Sequence, residues 1–155
     1  MIPNQNNKYR KAVFIVVYRI RKSNNKRKIE YLLLKRKHHW IGWEFPKGGI
    51  EKSEKIFHAV KRETREETGL KPVSLLKFNA SGKYRYHKLF ADRPGYIGQT
   101  WTLFSAKVNL GKVKLDKKEH SSFLWLPFNK ALKKLKWKNQ KKCLAVVNKF
   151  LIKRI

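Results

Sequence analysis

The sequence predicts one α/β domain in which helices pack against a mixed β-sheet. Three observations support this fold class. Segments typical of strands and helices follow one another in an irregular order along the 155 residues, 41% of the residues are hydrophobic, and no repeat or Pro/Gly/Ser-rich linker divides the chain. We therefore expect a single domain over residues 1–155 that folds as an α/β sandwich rather than as a regular doubly wound sheet.

Two strands begin the pattern. Residues 12–20 are rich in Val, Ile, Phe and Tyr, and residues 29–36 contain three consecutive leucines. Residues 23–27 between them are polar, as in a turn. Residues 38–49 are first aromatic and then glycine-rich, which predicts a loop.

A helix is predicted for residues 53–68. Ser53 is a favourable N-cap, Glu54 suits the positive end of the helix dipole, and Gly69 is a typical C-terminal stop. Apolar residues follow at helical spacing: Ile56, Ala59 and Val60. We expect this face of the helix to pack against the sheet.

The second half of the chain predicts further strands and two helices. Residues 73–80 and 83–89 are interpreted as strands joined by a turn at Ser81 and Gly82, and residues 92–98 as a loop. Two more strands are predicted at residues 99–108 and 122–126. Two helices follow at residues 129–135 and 139–155.

The composition argues against several classes of protein. No apolar run is long enough for a membrane span, and the basic residues 1–11 lack the apolar segment of a secretory signal. The single cysteine, Cys143, cannot form an internal disulfide or a cysteine-based zinc site. We therefore expect a soluble, cytoplasmic protein without a membrane partner, and the oligomeric state stays open.

The net charge of +29 has two interpretations. A surface this basic attracts polyanions such as RNA or nucleotide polyphosphates. The same charge is also expected of a chain from a lysine-rich proteome, in which most lysines only solvate the surface.

The acidic residues are more informative because they are few. Six of the ten lie between positions 44 and 67: Glu44, Glu51, Glu54, Glu63, Glu66 and Glu67. Like charges this close repel one another unless cations neutralise them. The cluster therefore predicts a metal site.

Three of these carboxylates converge on the predicted helix. At about 100° per residue, Glu63 and Glu67 share one face, and Glu66 lies one step round from both. This face continues the apolar line toward the core, where an uncompensated carboxylate is costly. Oxygen ligands of this kind suit Mg²⁺, or alternatively Mn²⁺.

The motif around this helix resembles the Nudix box, G-x5-E-x7-R-E-U-x-E-E-x-G-U, where U is an aliphatic residue. From Gly48 onward the chain matches eight of the nine defined positions and departs only at Thr64, which is nearly isosteric with valine. A solvent-exposed helix with Glu–Arg pairs would not explain the preceding glycine or the fixed spacing. The resemblance implies a Nudix hydrolase with the Nudix fold, an α/β/α sandwich with a mixed sheet and a loop–helix–loop catalytic motif.

The resemblance also implies roles for residues of the box. Glu66 and Glu67 match the main metal ligands, and Glu63 matches the glutamate that ligates metal or serves as general base. Arg62 matches the arginine that orients a glutamate by a salt bridge. The backbone carbonyl of Lys47 is a further implied ligand, and the structural positions of the box are matched by Gly48, Glu54 and Gly69.

Glu119 is a second catalytic candidate. It lies just before the predicted strand 122–126, and only Asp116 and Glu119 are acidic after Asp92. Members of the family often place an additional catalytic or metal-binding glutamate in such a loop. The alternative is an ordinary solvated loop residue.

Residues outside the box narrow the substrate. Residues 43–51, W-E-F-P-K-G-G-I-E, resemble the W-x-F-P-[KQ]-G-G-I segment of two Nudix groups. One group hydrolyses diadenosine tetraphosphate and similar dinucleoside polyphosphates, and the other removes pyrophosphate from the 5′ end of RNA. The I-G-Q sequence at 97–99 and residues 119–126 resemble the same groups.

Several side chains near these motifs are candidates for binding such a substrate. The main candidates, basic, polar or aromatic, are Lys35, Arg36, Lys47, Trp43, Tyr84, Tyr86, Lys88 and Gln99. Further cations and aromatic rings are Lys37, Arg85, Trp40, His87 and Tyr96. Each also has an ordinary interpretation, because lysines are abundant here and aromatic rings more often serve packing.

Two enzyme functions therefore compete. A dinucleoside polyphosphate hydrolase explains residues 43–51 and the aromatic residues, whereas an RNA 5′-pyrophosphohydrolase also uses the positive charge. A nucleoside triphosphate pyrophosphohydrolase is a further alternative that needs no basic surface. A nucleic-acid-binding module on a Nudix fold would leave the complete set of box carboxylates unexplained.

Overall fold

The computed structural model describes residues 8–155. Within this range the chain forms seven strands, which are β1 (Lys8–Ser23), β2 (Lys26–Arg36), β3 (Gly42–Glu44), β4 (Lys47–Gly49), β5 (Pro72–Arg85), β6 (Tyr96–Val108) and β7 (His120–Leu126). The three helices are α1 (Ile56–Thr68), α2 (Phe128–Lys134) and α3 (Lys138–Ile152).

Strand β1 organises a mixed sheet. It runs parallel to β6 and antiparallel to β2 and β4, and β5 pairs with the other edge of β6. Strands β3 and β7 both pair with β2. The mixed sheet expected from the irregular order of elements is therefore confirmed.

The alternating side chains of β1 supply two separate cores. Phe14, Val16 and Tyr18 belong to a cluster with residues of α2 and α3, including Leu144. The intervening residues 13, 15 and 17 pack on the opposite face with Val60 of α1. Each fully buried aliphatic side chain stabilises the fold by about 1.5–3 kcal/mol. The chain thus forms an α/β/α sandwich, as the resemblance implied.

The start of α1 differs from its prediction. Ser53 does not cap the helix, because its φ is 65° and the helix begins three residues later at Ile56. Residues 51–54 form a tight turn, in which the backbone N–H of Glu51 donates to Glu54 Oε1 at 3.0 Å. Glu54 therefore lies in this turn rather than in the first turn of the helix. At the other end, Gly69 adopts the expected left-handed conformation, with φ 71°.

The predicted strand pair over residues 73–89 is also wrong. Residues 72–85 form one strand, β5, whose register with β6 shifts between Lys77 and Ser81. Gly82 makes no turn; it pairs with Trp101 of β6, and a Cβ there would lie 2.4 Å from the indole ring. The glycine therefore permits close cross-strand packing instead of a change of direction.

The glycine-rich segment before α1 is more regular than predicted. Residues 42–44 and 47–49 of the expected loop form strands β3 and β4. The other elements agree with their predictions within a few residues at each end. Within residues 8–155, no helix combines the length and the apolar composition needed to cross a bilayer.

Candidate active site

Helix α1 turns two of its glutamates toward the sheet. Glu63 and Glu67 are four residues apart, and their exposed fractions are 9% and 3%. Glu66 is more exposed, with 56% of its side chain accessible, and it shares the donor Arg62 Nη1 with Glu63. The structure therefore brings Glu63 and Glu67 together and places Glu66 at the edge of the group.

Strand β4 lies directly beneath these carboxylates. The backbone N–H of Lys47 donates to Glu67 Oε2 at 3.2 Å. A Cβ at Gly48 would lie 2.0 Å from the carboxyl carbon of Glu63. A side chain at this position would therefore displace the Glu63 carboxylate from where Arg62 holds it.

Arg62 ties the turn before the helix to the helix itself. Its Nε donates to Glu54 Oε2 at 2.8 Å, and its Nη2 donates to Glu54 Oε1 at 2.9 Å. The other nitrogen, Nη1, donates to Glu63 at 2.7 Å and to Glu66 at 3.2 Å. The two hydrogen bonds from Arg62 to Glu54 lower the pKa of Glu54 to about 2. Arg62 thereby fixes the orientation of Glu63.

Glu119 enters the same site from the loop before β7. Its carboxylate lies near Glu67 and His120, with one ligand atom of each residue within 4.8 Å of the others. A cleft of about 50 Å³ separates this loop from α1. We call it the carboxylate cleft; its lining residues are Arg10, Lys47, Gly48, Glu63, Glu67, Arg93, Gln99 and Glu119.

The carboxylates of the cleft repel one another. Burial raises the pKa of Glu63 to about 7 and outweighs the opposing effect of Arg62, while the charges of Glu66 and Glu119 add smaller contributions that also raise it. Burial and the charges of Glu44, Glu63 and Glu119 raise the pKa of Glu67 well above its usual range. Converging buried carboxylates of this kind fit a hard divalent cation, which would offset the repulsion. Glu63, Glu67 and Glu119 are the side chains placed to hold it.

A second buried glutamate close by has the opposite environment. Glu44 is completely buried, and its Oε2 lies 3.0 Å from Arg36 Nη1 and 2.8 Å from His120 Nε2. Its Oε1 lies 3.3 Å from Lys47 Nζ. Burial alone would raise the pKa of Glu44, but Lys47, His120 and Arg36 together lower it to about 2. We call these four residues the Glu44 cluster; His120 was not a sequence-based candidate.

A larger cavity of about 800 Å³ adjoins the carboxylate cleft. Lys47 and Arg93 line both spaces. We call this larger space the aromatic cavity, because rings from four separate segments line it: Phe14, Trp40, Tyr84, Tyr86, Phe90 and Trp137. Its polar lining is mostly basic and includes Arg36, His39, Arg85, His87, Lys136 and Lys138.

The structure brings part of the predicted substrate-binding set to these two spaces. Arg36, Lys47, Tyr84 and Tyr86 line the aromatic cavity, as do Trp40, Arg85 and His87. Gln99 lines the carboxylate cleft, where its Oε1 accepts a hydrogen bond from the Tyr86 hydroxyl at 3.0 Å.

Other candidates lie elsewhere. Lys35, Trp43 and Lys88 line neither space. Trp43 instead packs against the core beside α2, and Lys88 is exposed in the loop after β5. Arg36 is buried, and its guanidinium is already engaged by Glu44 and by the backbone carbonyl of His38 at 2.6 Å.

Hydrogen bonds that join Asp92 to His38 and His39 hold the loop of residues 86–95 beside the aromatic cavity. His39 Nε2 lies 3.1 Å from Asp92 Oδ1, and His38 Nε2 lies 3.3 Å from Asp92 Oδ2. Arg36 Nη2 lies 3.2 Å from His39 Nδ1 and can only donate, so the proton of a neutral His39 belongs on Nε2. A metal would need Nε2 as an acceptor. The arrangement therefore indicates that His38, His39 and Asp92 form a structural contact between two loops rather than a second metal site.

Sequence reasoning named Tyr86, His87 and Lys88 of this loop but missed its residues that complete the two spaces. Phe90 and Arg93 come from it, and Trp137 and Lys138 come from the start of α3. These residues become neighbours only because the sheet brings distant segments together. The sequence held one local signal for this loop. Acidic residues are so few in the chain that Asp92 could have been singled out.

Comparisons with known proteins agree with this geometry. The NUDIX domain family model matches residues 8–147. An RNA pyrophosphohydrolase of a Nitratiruptor species is 33% identical over 115 residues, which cover 72% of either chain. Another from Stenotrophomonas maltophilia is 34% identical over 98 residues, 56% of this chain and about half (48%) of that protein.

A solved structure extends the similarity to nearly the whole chain. The crystal structure of a C. elegans Ap4A hydrolase in a binary complex has a TM-score of 0.73 and 26% identity, and the match covers 92% of this chain and 98% of that one. The box, the fold and the family model therefore agree: the chain belongs to the Nudix hydrolase family.

Proposed function

We propose that this protein is a Mg²⁺-dependent pyrophosphohydrolase that removes pyrophosphate from the 5′ end of RNA in the cytoplasm. One observation carries the proposal. The carboxylate cleft opens beside the aromatic cavity, and Lys47 and Arg93 line both. A nucleotide can therefore place its base among aromatic rings while its phosphate chain reaches the glutamates.

In this proposal the metal would be held by Glu63, Glu67 and Glu119, with the backbone carbonyl of Lys47 as the further ligand that the family resemblance implies. Mn²⁺ can take the same oxygen ligands. When bound, the cation neutralises charge on the diphosphate and makes its phosphorus more electrophilic. Glu66, the other main ligand that the family resemblance implies, is more exposed and accepts a hydrogen bond from Arg62 Nη1 at 3.2 Å.

The chain's own residues supply the proton transfer. Glu63 and Glu119 are the two candidates for the general base that takes the proton of the attacking water. Arg62 keeps the Glu63 carboxylate in one orientation through its 2.7 Å hydrogen bond. Gln99 and Tyr86 form a hydrogen-bonded pair where the two spaces meet, which fits a role in positioning the substrate.

RNA is favoured as substrate by three observations. The related proteins from Nitratiruptor and Stenotrophomonas are named RNA pyrophosphohydrolases. The net charge of +29 also exceeds what a small nucleotide requires. Lys136, Trp137 and Lys138 also line the aromatic cavity and offer further basic and aromatic surface for a second nucleotide.

A second candidate function is hydrolysis of dinucleoside polyphosphates. It is supported by the similarity to the C. elegans Ap4A hydrolase. The aromatic cavity, at about 800 Å³, is larger than one base requires. It has room for a larger part of a dinucleoside polyphosphate than a single base.

A side-by-side rate comparison tests the proposal. With Mg²⁺, we expect faster release of pyrophosphate from 5′-triphosphate RNA than cleavage of diadenosine tetraphosphate or of nucleoside triphosphates. The rate on RNA at subsaturating concentration should fall by at least about tenfold between 50 and 200 mM salt, because binding releases counterions. RNA with a 5′-monophosphate is the matched control. A salt-insensitive rate on RNA together with faster cleavage of diadenosine tetraphosphate would establish the second candidate instead.

A further inference from the structure

Arg93 occupies the junction of the two spaces and is not part of the Nudix box. It lies in the loop of residues 86–95 and lines both the carboxylate cleft and the aromatic cavity. Lys47 is the other residue that lines both, but its ammonium already faces Glu44 Oε1 at 3.3 Å. The charge of Lys47 is therefore partly offset before any substrate arrives.

The guanidinium of Arg93 is held by rings rather than by acids. Its central carbon lies 5.3 Å from the centroid of the Tyr86 ring and 5.5 Å from that of Phe90. Among residues 8–155 it forms no salt bridge and no side-chain hydrogen bond. Cation–π contacts of this kind restrain an arginine while leaving its N–H groups available.

We propose that Arg93 binds the phosphate chain of the substrate between the base in the aromatic cavity and the reacting phosphate in the carboxylate cleft. This inference rests on the proposed function, because it assumes a substrate that spans both spaces. A planar guanidinium can donate two parallel hydrogen bonds to a phosphate. It can also stabilise negative charge that develops during hydrolysis.

The loop is built to keep Arg93 in this place. The preceding residue, Asp92, is fastened to His38 and His39, and the Phe90 ring stacks on His39 with centroids 4.1 Å apart. Arg36 in turn fixes the His39 ring and joins it to buried Glu44. Asp92 and His39 thus hold the loop that carries Arg93.

Binding of a non-hydrolysable nucleotide tests the role of Arg93. We would measure the affinity of α,β-methylene-ADP and of adenosine by calorimetry, with Mg²⁺, for the wild-type protein and for Arg93→Gln. Loss of a charged hydrogen bond in Arg93→Gln should weaken the binding of α,β-methylene-ADP by about tenfold or more, while the affinity for adenosine changes little. Arg93→Lys should give an intermediate loss, because lysine provides a point charge without the fork.

Arg27→Gln is the matched control. Arg27 lies at the start of β2, is exposed and lines neither space, so its replacement removes one positive charge far from the site. Equal affinity of Arg93→Gln and Arg27→Gln for α,β-methylene-ADP would overturn the proposal. The proposal would also fail if Arg93→Gln lost as much affinity for adenosine as for α,β-methylene-ADP. It would fail as well if the wild-type protein did not bind α,β-methylene-ADP. A wild-type protein that binds the analogue through Arg93 but hydrolyses no polyphosphate would refute the proposed function alone.

Discussion

Glu44 and Glu67 are both buried, a short distance apart, and their environments are opposite. Glu44 is surrounded by Arg36, Lys47 and His120, which lower its pKa to about 2. Glu67 faces other carboxylates, and burial together with their charges raises its pKa. One carboxylate is already neutralised by the protein, whereas the other still needs a cation from solution.

This difference predicts that Glu44 has a structural role and Glu67 a functional one. Removing the charge of Glu44 should leave buried cations without a partner, and so affect the fold. Removing the charge of Glu67 should relieve repulsion in the metal-free protein, and so affect catalysis without harming the fold.

The largest expected effect is on catalysis. Glu67→Gln should lower the rate of metal-dependent hydrolysis by at least about a thousandfold, because the metal site loses its most buried carboxylate. The same substitution should leave the urea midpoint of the metal-free protein unchanged or higher. Hydrolysis rates and urea unfolding in EDTA measure both quantities. Full activity in Glu67→Gln would contradict the proposed mechanism.

The next effect is on stability. Glu44→Gln should lower the free energy of unfolding by about 3–5 kcal/mol, because it leaves buried positive charge uncompensated. Glu30→Gln is the control: Glu30 pairs with Arg19 at 2.9 Å nearer the surface, so its loss should cost less than about 1 kcal/mol. If Glu44→Gln and Glu30→Gln unfold at the same urea concentration, the Glu44 cluster does not stabilise the fold.

The smallest expected effect is a pH dependence of the metal-free protein. The pKa of Glu63 rises from 4.5 to about 7 on folding, so the folded state binds the proton more tightly. The contribution of Glu63 to stability is therefore present below pH 4.5 and is lost as the pH rises to about 7. Glu44 has the opposite sign: its contribution is present above pH 4.5 and is lost as the pH falls toward about 2.

Urea unfolding in EDTA at pH 5 and pH 7.5 measures the Glu63 contribution. The free energy of unfolding of the wild-type protein, relative to Glu63→Gln, should be lower at pH 7.5 by an amount on the order of 1–2 kcal/mol. Saturating Mg²⁺ should remove this difference, because the cation replaces the proton. Parallel pH profiles of the two proteins would show that Glu63 does not titrate in this range.

The carboxylate pair of α1 could be predicted because helical spacing is a local property. Glu63 and Glu67 are four residues apart, and any helix places them on one face. The same spacing could not show that Glu66 would turn outward toward Arg62. It also could not show that Ser53 would adopt a φ of 65°, since Glu54 and Arg62 fix that turn through their side chains.

The aromatic cavity could not be predicted because no single segment contains it. Its lining comes from β1, from residues 36–47, from the end of β5 and the loop after it, and from residues 136–140 at the start of α3. Tyr84 and Tyr86 were sequence-based candidates only as isolated aromatic residues. Arg93 had no local signal at all, because its significance lies in its position between two spaces that the fold creates.

The parallel pairing of β1 with β6 also has a consequence for how the protein folds. Phe14 pairs with Leu103, so this central contact closes a very long loop of chain, whereas α1 is built from neighbouring residues. Contacts of high sequence separation form slowly, and helices form early. A refolding chain should therefore acquire the helix that carries Glu63 and Glu67 before Gln99 and Arg93 arrive opposite it. The two acids of the helix are therefore in place first, and Glu119 and the surfaces that select a substrate join them later.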